Sequence, residues 1–220
     1  MPESGDAPPP RYTLILGPKN YSSWSMRAWL MMRHLGLAFE IVTVDLYQGG
    51  SREAVRGLGG ETSLVPVLKR DGFPIWDTLA IFETLHEAHG GVWPADPDAR
   101  ARARSLAGEI HSGFNALRAA MPVNTRARGR TAQRTAEVEA DIARAAEVWS
   151  RPSPGEWLFG GFSGADILFA PIATRFQTYG VVLPPPASVY CEALLAHPLV
   201  AEWLALGAAE TGRIETLEIG

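Results

Sequence analysis

Every strand-like run in this 220-residue chain ends before residue 77, and every later periodic segment carries helical spacing. A chain patterned this way divides into a mixed α/β first part and an all-helical second part. Its length points the same way, being long for one compact domain and short for three. Tyr12 to Leu16 is an apolar run closed by Gly17-Pro18, as a buried strand would be, and Phe39 to Leu46 is a second strand rich in β-branched residues. Between them Ser22 or Ser23 can cap a helix running through Met26, Leu30, Met31 and Leu35 to Gly36. Such a crossover makes the two strands parallel. A short helix near 51–58 follows. Val65 to Lys69 and Phe73 to Trp76 flank the turn signal Arg70-Asp71-Gly72 and read as an antiparallel hairpin. A helix from Asp77 or Thr78 through Ile81, Phe82 and Leu85 ends near Gly90-Gly91.

Beyond Gly91, Asp96-Pro97 supplies a helix cap and a first-turn proline, and Ala, Leu and Arg dominate to Ala120. Further helical patterns cover 132–149, 164–179, 188–196 and 199–206, with Pro-rich breaks at 152–154 and 184–186. This part is therefore read as an all-α bundle. Hydrophobic residues make up 46% and charged residues 20%, which supports a packed core rather than a disordered chain. A formal charge of -4 argues against a dedicated nucleic-acid binder. Cys191 is the single cysteine, so internal disulfides, CxxC redox chemistry and multi-cysteine zinc sites are excluded, and a reducing cytoplasm is the expected compartment. No apolar run approaches the roughly 18 residues that span a bilayer, and neither a membrane nor a metal is expected. Residues 1–10, MPESGDAPPP, are expected to be a flexible tail.

This order of elements, with several short motifs, resembles the glutathione transferase superfamily from residue 12 to about 210. The carriers are Asn20-Tyr21-Ser22-Ser23-Trp24-Ser25-Met26-Arg27, Leu64-Val65-Pro66-Val67-Leu68, Asp77-Thr78-Leu79-Ala80-Ile81, Val92-Trp93-Pro94 and Ser163-Gly164-Ala165-Asp166. The resemblance implies a thioredoxin-like N-terminal domain (βαβαββα) over 11–91 that binds glutathione, and an all-α C-terminal helical bundle over 96–220. The Ser-Ser-x-Ser-x-Arg run is similar to that of serine-type, zeta-class members of bacterial kind. Carried over by position, it implies Ser22 as the catalytic residue that activates the glutathione thiol, with Ser23 its rival and Arg27 on the helix behind. Trp24 stands where related sequences often hold a small or sulfur-containing residue.

The chemistry is independent of the family. A thiol with a pKa of about 8.5 is mostly protonated at pH 7, and the thiolate is the nucleophile. A serine hydroxyl and the free N–H groups at a helix N-terminus both donate to sulfur and favour its charged form. By resemblance, Val65-Pro66 is a cis-proline turn whose backbone pairs with the cysteinyl part of glutathione, and Asp77-Thr78 receives its γ-glutamyl end. Without the resemblance, Asp77 or Thr78 would be simple helix caps.

Other motifs carry less. Gly161-Phe162-Ser163-Gly164-Ala165 lacks the last glycine of a nucleophile elbow, and Ser163 with Asp166 reads as a capping box. Gly57-Leu58-Gly59-Gly60 follows a helix and is no dinucleotide fingerprint. His86 and His89 lie three apart with no third metal ligand suggested. His111, Arg118, Met121, Asn124, Arg175 and Tyr179 are the candidates for lining an electrophile pocket. The expected protein is a cytoplasmic, homodimeric glutathione transferase with glutathione as co-substrate and a small electrophile as its second substrate. A maleylacetoacetate-type cis-trans isomerase and a non-catalytic binding module are the alternatives.

Overall fold

The computed structural model describes residues 11–47, 49–152 and 157–220, so the expected tail over 1–10 lies outside the described residues. The first part runs β1 (Tyr12–Leu16), α1 (Ser23–His34), β2 (Phe39–Thr43), α2 (Ser51–Gly57), β3 (Val67–Arg70), β4 (Phe73–Ile75) and α3 (Thr78–His89). The strands form one sheet in the order β2-β1-β3-β4. β1 and β2 are parallel with Leu14 opposite Ile41, whereas β3 is antiparallel to both β1 and β4, with Leu68 opposite Leu14 and Ile75. This is the βαβαββα arrangement expected. β3 starts at Val67 rather than Val65, because Pro66 has no N–H to give the ladder, and the Val65-Pro66 peptide is cis.

The second part is helical: α4 (Pro97–Ser112), α5 (Asn115–Ala120), α6 (Ala136–Trp149), α7 (Gly164–Tyr179), α8 (Pro185–Ala196) and α9 (Pro198–Ala208). Besides shifts of one or two residues at the ends of α9, three boundaries differ from the sequence reading. The helical pattern running to Ala120 is interrupted after Ser112, where Phe114 takes a left-handed conformation (φ 58°) and seats its ring 6.2 Å from that of Phe169. Arg118 covers the interruption by donating to the carbonyls of Gly113 and Ile110. α6 begins only at Ala136, after a Thr135 cap. α8 begins inside the Pro-rich break, since Pro185 and Pro186 occupy a first turn that needs no N–H.

The core lies where the two parts meet. α1 packs its buried Met26, Trp29, Leu30 and Met32 between the sheet and the bundle, with Trp29 5.4 Å from Trp203 of α9. α7 is buried along all its residues except Gln177. Its start is tied down by Asp166, whose carboxylate accepts from the N–H and hydroxyl of Ser163, the N–H of Leu158 and the hydroxyl of Tyr190. The Ser163–Asp166 capping reading thus describes the contacts, and the nucleophile-elbow reading does not.

Candidate functional site

A cleft of about 670 Å³ opens at the N-terminus of α1, between the sheet and the bundle. Ser22, Ser23 and Trp24 form its floor. Leu46, Tyr47 and α2 residues Ser51 and Arg52 line one side, with Ser63, Leu64 and Val65 from the segment before β3. The opposite side comes from Arg118, Pro122, Val123 and Arg175, and the C-terminal segment adds Thr216, Leu217 and Ile219. A second hollow of about 680 Å³, beside Tyr12 and His89, holds none of the candidate site residues.

Ser22 sits there because it is the helix cap: its Oγ accepts the N–H of Ser25 at 3.2 Å. The Ser22 hydroxyl donates to Ser25 Oγ at 2.7 Å, and Ser25 Oγ also accepts the N–H of Gly17 at 2.9 Å. One proton lies between the two oxygens. Both hydroxyls can rotate, and if a bound ligand draws the Ser22 proton into the cleft, Ser25 can turn to donate to Ser22 in its place. Ser22 and Ser23 are equally buried, each 7% exposed, and both reach the cleft. Sequence reasoning named both serines and gave Ser25 no role.

Val65 shares the cleft with the serines, while Pro66 is buried behind it. Asp77 and Thr78 do not line the cleft. Asp77 caps α3, accepting the N–H of Leu79, and its second oxygen lies 3.1 Å from Nε2 of His111. His111 packs edge-on to Trp24, with ring centres 5.2 Å apart, and so links the α3 N-terminus to the cleft floor. Thr78 is fully buried and its hydroxyl has no partner among the described residues. Of the six pocket candidates in the bundle, Arg118 and Arg175 reach the cleft. Met121, Asn124 and Tyr179 are buried away from its lining, and His111 is engaged by Asp77.

The floor is strongly electropositive. The Arg27 guanidinium stacks 4.5 Å from the Trp24 ring and that of Arg118 lies 4.9 Å from it. Arg27 is fully buried. Its Nε donates to Leu168 O at 3.0 Å, and neither terminal nitrogen has a partner among the described residues. Arg175 donates to the carbonyls of Met121 and Pro171. Burial, reinforced by Arg118 and Arg175, pushes the Arg27 pKa far down, and burial with Arg118 pushes Arg175 down to about 9. Among the described residues that line the cleft, none is acidic. Unpaired guanidiniums held this close disfavour their own charge and favour an anion brought to them.

The loop that presents Ser22 is fixed from the bundle side. Glu210 accepts the backbone N–H groups of Lys19 and Asn20, each at 3.0 Å. The Asn20 side-chain oxygen accepts from the Thr125 hydroxyl and the Arg126 N–H. The hydroxyl of Tyr21 donates to Glu218, which also pairs with Arg126 and Arg130.

Residues 21–88 match the family model described as glutathione S-transferase, N-terminal domain. The chain is 27% identical to mouse maleylacetoacetate isomerase, over 74% of its own length and 77% of that protein, and 26% identical to a probable maleylacetoacetate isomerase of Caenorhabditis elegans, over 76% and 79%. Among solved structures, a glutathione transferase homolog from Burkholderia gl BGR1 with bound glutathione superimposes with a TM-score of 0.71 at 28% identity, covering 91% of this chain and all of that one.

Proposed function

We propose that this chain, which has the glutathione S-transferase fold and that family's N-terminal domain, is a cytoplasmic, homodimeric glutathione transferase that activates the glutathione thiol for attack on a small electrophile. The observation that carries the reading is Ser22, a helix cap whose hydroxyl reaches a cleft with Val65 across from it and unpaired cations behind it. Residues 11–91 would form the glutathione-binding domain and 96–220 the helical domain that sets the electrophile. The cysteinyl part of glutathione would pair with the backbone of Val65 ahead of Pro66 in the manner of an added strand. Its γ-glutamyl end would extend past the cleft lining to the α3 N-terminus, where the exposed Asp77 suits an ammonium group and the buried Thr78 hydroxyl is unpartnered among the described residues. Ser22, polarised by Ser25, donates to the sulfur and favours the thiolate, Ser23 borders it, and the thiolate attacks the electrophilic carbon.

Binding is the direct test. Glutathione at 100 times its dissociation constant stabilises the folded state by about 2.7 kcal/mol, which for a chain of this size raises the melting temperature by roughly 5–11 °C. Absence of any shift at millimolar glutathione would favour the non-catalytic module.

The acid-free cleft with Arg52, Arg118 and Arg175 supports a second reading, cis-trans isomerisation of a maleylacetoacetate-type acid. There the thiolate adds to one carbon of the conjugated double bond, the resulting single bond rotates, and elimination restores the alkene and returns the thiolate. Conjugation consumes one thiol per turnover and isomerisation none, so a thiol titration during turnover separates the two.

A further inference from the structure

We infer that the C-terminal segment 214–219 is a working wall of the electrophile side of the cleft, fastened there by Glu218, and that Leu217 and Ile219 select for an apolar group on the substrate. The inference rests on the glutathione reading for what occupies the other side of the cleft. Its evidence is the way the segment is held. Apart from the short 3₁₀ turn at Glu215–Leu217, the segment has no regular structure of its own. Yet Glu218 is drawn in to 7% side-chain exposure, where its two carboxylate oxygens take Arg126 and Arg130 together with the Tyr21 hydroxyl. Arg126 also donates to the carbonyls of Glu210 and Gly212, so the same guanidinium holds Glu218 and the chain that leads into the segment. The consequence is positional. With Glu218 pinned, the flanking Thr216, Leu217 and Ile219 face the cleft opposite Leu46, Tyr47 and Leu64. Ile219 and Leu64 are 40% and 63% exposed and Tyr47 is 68% exposed, an apolar rim with space between its members for a ligand to fill.

Two fasteners touch the serine loop, and only one of them also holds the wall. Glu210 holds the backbone of Lys19 and Asn20 in the loop that presents Ser22, whereas Glu218 takes the Tyr21 hydroxyl of that loop and, through Arg126 and Arg130, the wall. Trimming Leu217 should therefore cost recognition of the apolar group and leave the glutathione side in place, whereas weakening Glu218 loosens the wall and also removes a tie to Tyr21.

S-methylglutathione and S-hexylglutathione test this without knowledge of the natural electrophile, because only the hexyl chain extends beyond the sulfur into the wall. Wild-type protein should bind the hexyl compound at least tenfold more tightly than the methyl one. Glu218→Ala and Leu217→Ala should each reduce that ratio to about threefold or less, with the S-methylglutathione dissociation constant changed less than threefold in Leu217→Ala, and Glu218→Gln should lie between. Hydrogen exchange of a peptide covering 211–220 should speed up at least tenfold in Glu218→Ala and stay unchanged in Leu217→Ala, a difference a general loss of stability would not give. A hexyl preference that survives in both alanine variants, or unchanged exchange in Glu218→Ala, overturns the inference. If wild-type protein binds neither compound, the glutathione reading fails, and the exchange measurement alone then decides whether Glu218 fastens the segment.

Discussion

Ser22 and Ser23 are neighbours at one helix start with equal burial, and what distinguishes them is the hydrogen bonds of Ser22 to Ser25. That contact gives Ser22 a second hydroxyl to polarise it. Ser22→Ala should leave glutathione binding within severalfold, raise the pKa of the bound thiol, and lower turnover near neutral pH by roughly 10² or more, with partial recovery at alkaline pH where solvent removes the proton. Thiolate absorbance against pH is the readout. A titration that shifts in Ser23→Ala and holds still in Ser22→Ala would transfer the role by one residue. Ser25→Ala should show a weaker version of the Ser22→Ala shift, since it removes the polarising partner and leaves the donor. At the other end of the tripeptide, Thr78 is fully buried with an unpartnered hydroxyl, and Asp77 faces solvent at 55% side-chain exposure and is engaged by His111. Thr78→Val should raise the Michaelis constant for glutathione with little change in turnover, because the γ-glutamyl end is remote from sulfur. Unchanged glutathione affinity in folded Thr78→Val and Asp77→Ala would remove both from the site.

Between elements, one glycine shows how closely the bundle presses on the serine loop. A Cβ at Gly207 of α9 would lie 2.5 Å from the Thr125 hydroxyl oxygen and 3.0–3.1 Å from backbone atoms of Lys19 and Asn20. Alanine is the better helix former by about 1 kcal/mol, so propensity alone favours Gly207→Ala. Overlap with backbone on the facing loop costs about 1–3 kcal/mol and should win. The variant is expected to melt lower and to lose turnover as Asn20 and Ser22 shift, and a raised melting temperature would refute this. Such contacts also mark where sequence reading stops. Strand and helix order was legible because periodicity and turn residues are local, and α7 was read to its residue limits from Gly164 to Tyr179. The break after α4 was not, because Phe114 gains its left-handed conformation from packing on Phe169 and from Arg118, four residues ahead. Among candidate site residues, the serines, Val65 and the pair Arg118 and Arg175 were legible from motif or composition. Tyr47, Arg52 and the 216–219 wall were not, since no pattern in a loop announces which distant surface it will meet.

Across the whole molecule the buried carboxylates set how these contacts respond to acid, and two of them act with opposite sign. Burial raises the pKa of Asp166, more than its bonds from Tyr190, Leu158 and Ser163 lower it. A carboxylate whose folded value exceeds its unfolded one contributes less stability as pH rises through that interval. Burial also acts to raise Glu218, but the Tyr21 hydroxyl and Arg130, with Arg213 further off, outweigh it and hold this carboxyl below its ordinary value. Its contribution is therefore fully present above the unfolded value of about 4.3 and is lost as pH falls through the lower folded value. Because Glu218 joins the C-terminal segment to Tyr21 beside Ser22 and to Arg126 and Arg130 in the bundle, its protonation should release that segment before the core unfolds. Melting temperatures of wild type and Glu218→Gln, taken from pH 7 down to pH 3, are expected to differ most at neutral pH and to converge below about pH 4. Hydrogen exchange of the 211–220 peptide should rise over the same interval in wild type and start high in the variant. A gap between the two proteins that stays constant to pH 3 would mean that the charge on Glu218 does not hold the segment in place.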